Sequence, residues 1–177
     1  MRRLCLTLLC GLVAVPVAVA ATDATGDGVL ELKAATGTVV LTGSRGTAWG
    51  QMDKGRLVVT DPLPGDGAVY VSGGTATAGK TDGVVVYTGR DIHFRVTGGK
   101  YKLAFRGMSS DLSAVGVDLT AVGVGSVQLT GDPFADDTGK YAIDSGKWTT
   151  VPLWQITKPF GVQPAPTTTT TTTTTSP

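Results

Sequence analysis

His93 is the only histidine and Glu31 the only glutamate of the 177 residues, and both cysteines, Cys5 and Cys10, fall within the first ten. A Ser-His-Asp triad would have to use His93, because it needs an imidazole to take the nucleophile's proton. No Gly-x-Ser-x-Gly turn is present to present a serine. A zinc site built from His and Cys lacks the ligands. Glycoside hydrolysis needs two carboxylates flanking the sugar. Here they would come mostly from aspartates, and most of these stand beside Gly or Pro, where a short acidic side chain makes turns. The balance of these residues is against an enzyme, with an aspartate-based hydrolase as the one catalytic reading left open.

Binding chemistry is better represented. Asp132, Asp136 and Asp137 cluster in one loop-like stretch, and converging carboxylate oxygens suit calcium, the only cofactor the composition points to. The competing reading is three turn-forming aspartates. The stretch 23–28, Asp-Ala-Thr-Gly-Asp-Gly, lacks the intermediate ligand and the closing Glu of a calcium loop. Trp148 and Trp154 flank Pro152 and could stack on a sugar ring, or pack at a sheet edge. Arg95 and Lys102, with His93 and Arg106 near them, make a cationic candidate for an acidic glycan or phosphate, against the alternative of a solvated outer face.

These residues must be positioned by strands. Between Gly26 and Phe160, short runs rich in Val, Thr, Ile and Tyr are punctuated by Gly, Asp and Pro, and no window holds an apolar helical period uninterrupted by Gly. Strands are expected near 29–32, 38–42, 56–60, 68–72, 84–87, 91–97, 101–106, 115–119, 126–130, 140–143 and 149–154. In 91–106, Gly98-Gly99 suits a tight two-residue turn. With Thr97 opposite Lys100, Val96 would face Tyr101, Phe94 would face Leu103 and Ile92 would face Phe105. Arg95 would then stand across from Lys102. The fold class is all-β, an antiparallel sandwich or barrel in a single domain, with a β-solenoid as the alternative. Two consecutive heptapeptides, Asp-Leu-Ser-Ala-Val-Gly-Val at 111–117 and Asp-Leu-Thr-Ala-Val-Gly-Val at 118–124, carry too much Gly and Val for a coiled coil.

The two ends read differently. Arg2-Arg3, an apolar stretch over residues 4–17 and Ala18-Val19-Ala20 form the three parts of a cleaved secretory signal over residues 1–20. Removing it takes away both cysteines and shifts the formal net charge from +1 to −1. A nearly neutral mature chain gives no electrostatic reason to bind nucleic acid, and it holds no transmembrane segment. Residues 21–161 form the globular domain. Residues 162–177, with nine consecutive threonines, form a disordered Pro/Thr-rich low-complexity tail that reads as a glycosylated or wall-spanning linker, or as inert sequence.

The stretches Ile92-His-Phe-Arg-Val-Thr-Gly-Gly-Lys-Tyr-Lys-Leu-Ala-Phe-Arg-Gly107, Leu112-Ser-Ala-Val-Gly116 and Gly125-Ser-Val-Gln-Leu-Thr-Gly131 resemble uncharacterised exported β-rich proteins of high-GC Gram-positive bacteria. Gly46-Thr-Ala-Trp-Gly50 and Gly55-Arg-Leu-Val-Val-Thr-Asp61 are similar to the same group. The resemblance implies an exported β domain and brings no catalytic residues. The expectation is a secreted or envelope-associated, non-enzymatic structural, adhesion or interaction module, partnered by cell-wall glycan or another envelope protein. The alternative is a glycan-binding or glycan-cleaving protein.

Overall fold

The computed structural model describes residues 26–63, 65–108 and 113–161. The signal and the Thr-rich tail expected at the two ends lie outside them. The described residues form nine strands: β1 (Gly28–Thr60), β2 (Gly67–Ser72), β3 (Thr75–Ala78), β4 (Val84–Gly98), β5 (Tyr101–Arg106), β6 (Ala114–Gly131), β7 (Lys140–Ile143), β8 (Thr149–Thr150) and β9 (Ile156–Phe160). All belong to one antiparallel sheet ordered β2-β4-β1-β6-β9, with β5 and β7 also on β1, β3 on β4, and β8 on β7. The sheet is not closed into a barrel. No parallel pairing of the kind that stacks solenoid rungs occurs among the described residues. The barrel and solenoid expectations are therefore corrected.

β1 organises everything else. Ala121 of β6 has Leu30 on one side and Ala48 on the other, both from β1. Leu103 of β5 likewise lies between Leu41 and Val59 of the same strand. One strand can flank two neighbours in this way only by winding round the core. Residues 28–33 and 46–54 lie in one half of the sheet, and residues 37–43 and 56–60 in the other.

Winding has to keep the apolar side chains inside at each corner, although side chains alternate faces along a strand. The inward set is Leu30 and Leu32, then Val39 and Leu41, then Ala48 and Met52, then Leu57 and Val59. The inward positions switch from even to odd, back to even, and to odd again. A local irregularity accompanies each switch: Ala34 at φ 50°, a register shift between Gly43 and Arg45, and Gly55 at φ 150°. β-bulges and left-handed residues are the devices that bend a strand and reset its parity.

The first heptapeptide follows the same rule. Ala114 and Val117 are both core residues three apart, an odd spacing that needs an irregular residue between them, and Gly116 at φ 64° supplies it in a backbone region that a side chain strains. From Val117 the inward series then runs regularly through Leu119 and Ala121 to Val127 and Leu129.

Residues 91–106 depart from the expected hairpin. Ile92, Phe94 and Val96 and their counterparts Tyr101, Leu103 and Phe105 are all buried, so the alternation was a sound guide to the faces. β4 and β5, however, each pair with β1 and not with each other. Gly98 and Gly99, at φ 74° and 65°, carry the chain from one half of the sheet to the other, and Asp66 holds the turn by accepting from the Lys100 N–H at 3.2 Å. The apolar stripes meet across the core, with Phe94 and Phe105 ring centroids 5.1 Å apart at 53°. Period-two patterning specifies the buried face and leaves the hydrogen-bonded neighbour open.

Candidate functional site

The outer face of the half that carries β2, β7 and the first part of β6 concentrates the large polar and aromatic side chains. One row crosses the strands as Glu31, Thr120, Trp49, Arg95 and Tyr70, each the direct cross-strand partner of the next. The adjacent row is Asp118, Gln51, His93 and Ser72. These residues point outward because their neighbours Leu32, Ala48, Met52, Phe94, Leu119 and Ala121 fill the core.

The two rows, as far as Arg95 and His93, floor an open depression of about 890 Å³, and Trp148, from the segment between β7 and β8, contributes to its wall. Trp49 is 42% exposed and Trp148 43%, so each keeps much of its indole free. A smaller depression of about 560 Å³ adjoins it, sharing His93, Phe94 and Arg95 and reaching Tyr70 and Ser72. The platform therefore crosses the sheet from the first segment of β1 to β2.

Asp118 sets part of its geometry. Its Oδ1 accepts from the Ala34 N–H at 2.7 Å, at the corner where Ala34 has φ 50°. Its Oδ2 accepts from Gln51 Nε2 at 3.3 Å, which turns the amide along the groove floor. This carboxylate is a brace within the site. Glu31, Lys33, His93 and Arg95 make no side-chain hydrogen bond or ion pair among the described residues, so their polar heads stand ready for a ligand. Trp49 supplies a flat apolar surface between the carboxylate of Glu31 and the guanidinium of Arg95.

The residues expected from sequence are divided by this arrangement. Arg95 and Trp148 line the groove. Lys102 does not: it stands between Thr42 and Thr60 on β5, so the expected Arg95–Lys102 opposition is corrected along with the hairpin that implied it. Trp154 is 70% exposed and lies apart from the groove lining. Asp132 Oδ1 accepts from the Phe134 N–H at 2.9 Å and Asp137 Oδ1 from the Gly139 N–H at 2.8 Å, so two of the three proposed calcium ligands close turns. No group of three or more His, Cys, Asp or Glu side chains among the described residues is arranged to hold a metal ion. Trp49, Gln51, Glu31, Thr120 and Asp118 were not singled out from sequence as a site. Trp49 centres a short strand in the roughly nine-residue spacing of Val39, Trp49 and Val58, but nothing in the sequence joins it to Arg95 or Thr120.

No helix among the described residues is long and apolar enough to cross a membrane. No known family model, curated protein or solved structure matches the chain. The site's chemistry accordingly rests on its own residues.

Proposed function

We propose that this is an exported, non-catalytic β domain that binds glycan at the cell envelope through the Trp49–Trp148 groove. The observation that carries the reading is the cross-strand row Glu31–Thr120–Trp49–Arg95 flooring an open depression beside Trp148. Sugar rings offer apolar C–H faces to an indole and hydroxyl edges to carboxylates, amides and guanidinium groups. A rigid sheet holds those groups in fixed register without the ordering cost of a loop. An open groove lets a polymer lie through it, whereas a closed cavity would admit only a chain end. Asp118, with both oxygens engaged, favours holding a ligand over cleaving one. Export and envelope placement rest on the N-terminal sequence and on the resemblance of the β motifs to exported proteins.

The test is co-sedimentation of the protein with isolated bacterial cell walls, beside Trp49→Ala and Trp148→Ala. Saturable pelleting that both substitutions weaken is the expected outcome. Pelleting that neither changes would remove the groove from the reading, and no pelleting at all would remove the wall as the partner.

A further inference from the structure

We propose a second, separate site: a phosphate-binding corner formed by Lys54, Arg56, Arg90 and Arg106 where the two halves of the sheet meet. Lys54 and Arg90 are direct cross-strand partners, and so are Arg56 and Arg106. Lys54 and Arg56 flank the irregular residue Gly55 on β1, and both are only half-buried. Phe105, fully buried, turns Arg106 outward beside them. Four cations thus stand together on three neighbouring strand segments, and none of them lines the glycan groove.

Like charges directly opposite one another on neighbouring strands are destabilising, and here two such pairs are adjacent. The chain does not neutralise them. The ion pair among the described residues joins Arg45 to Asp27, and Asp53 and Asp91, which sit at the same corner, form none. Arg56 Nε is buried and has no hydrogen-bond partner. With four cations against two carboxylates, and an Arg56 donor that no protein acceptor satisfies, the corner favours an added oxyanion.

Phosphate fits better than carboxylate. It carries up to two charges and three strong acceptor oxygens, enough to bridge opposed cations, while a carboxylate brings one charge for one partner. Arginine forks engage phosphate oxygens in pairs, and a lysine adds a point charge. The phosphate can be free in solution or carried along an anionic chain, and the same four residues would serve either.

The test is thermal unfolding of the full-length protein in inorganic phosphate, in polyphosphate, and in sodium chloride of equal ionic strength. It is run beside Arg56→Gln/Arg106→Gln and, since Arg56 is partly buried, beside the more exposed pair Lys54→Gln/Arg90→Gln. Phosphate at tenfold above its Kd should raise the wild-type Tm by about 5 °C over chloride. Both double variants should lose that rise and, in chloride, match or exceed the wild type. A response to polyphosphate at far lower phosphate content would identify the chain form as the ligand, and an equal response per phosphate the free ion. Equal Tm values in phosphate and chloride, or an undiminished rise in the variants, would overturn the proposal. Neither result bears on Trp49 or the cell-wall assay, so the two sites stand or fall independently.

Discussion

The two outer faces of this one folded sheet are built from the same strands and differ sharply. On one, β1, β4 and β6 display Glu31, Trp49, Arg95, Asp118 and His93, with Tyr70 of β2 beside them. On the other, the same strands and β5 display Ser126, Thr42, Lys102, Thr60 and Val84 in one row, and Gln128, Val40, Ala104, Val58 and Val86 in the next. Six of the ten residues of those two rows are β-branched Val or Thr, as strand propensity favours, and none is aromatic. Val40 and Ala104 are nearly buried on it. Those two rows are what a sheet looks like when strand propensity and solubility decide its composition. The first face carries exposed indoles that stability does not require, and in these rows that contrast separates a site from a surface.

The largest expected effect would break both faces at once, because they share one core. Phe94→Ala and Phe105→Ala should each cost about 3–5 kcal/mol, read as a fall in the denaturant midpoint. Their double-mutant cycle sharpens the topology: an edge-to-face or tilted ring pair is worth about 0.5–1.5 kcal/mol beyond its area, and that coupling should appear. Zero coupling would contradict contact across the core. A smaller loss, about 1–2 kcal/mol, is expected for Asp118→Ala, which removes the acceptor of the Ala34 N–H and frees Gln51. The same change should weaken glycan binding, and a variant with lower stability and undiminished binding would separate the brace from the site.

The comparison itself is tested by paired substitutions on the two faces. Trp49→Ala should lower affinity for wall glycan roughly two- to tenfold, with little change in Tm because the indole is 42% exposed. Thr42→Ala and Lys102→Ala, on the other face, should leave binding unchanged. Equal losses on both faces, measured by calorimetric titration with solubilised wall fragments, would erase the distinction.

Much of the molecule was legible as burial and little as neighbourhood. The apolar alternation over Ile92, Phe94 and Val96 and over Tyr101, Leu103 and Phe105 identified the inward residues, because period two reports which side meets water. It could not report that β1 would insert as the partner of both strands, since a glycine turn serves a hairpin and a crossing between sheet halves alike. That residues 43–55 continue one strand from Gly28 to Thr60, where separate short strands are expected about Val39, Trp49 and Val58, is hidden for a related reason. Gly43, Gly46, Gly50 and Gly55 read as punctuation, whereas in β1 they mark places where a neighbouring backbone or ring comes close, as Tyr101 does over Gly43. The edge strands Thr75–Ala78 and Ile156–Phe160 carry too few apolar residues to declare themselves, and the expected strand at 149–154 shrinks to Thr149–Thr150. The groove was invisible because its row joins β1, β2, β4 and β6, residues distant in sequence that only the winding of β1 brings side by side.

Tyr101 gives the smallest effect at neutral pH and the clearest signature of that winding. Its ring lies over Gly43, and it is 3% exposed. Burial disfavours the phenolate and pushes its pKa from 10.0 up to about 12. The unfolded chain therefore gives up this proton first. The stabilisation linked to the shift is complete below pH 10 and is lost as pH rises towards 12, at about 1.4 kcal/mol per pH unit within that interval. Tyr101→Phe should flatten that alkaline slope in denaturant titrations while changing stability little at pH 7. An alkaline slope undiminished in Tyr101→Phe would mean that Tyr101 is not sealed against β1, and the packing of that half of the sheet would have to be redrawn.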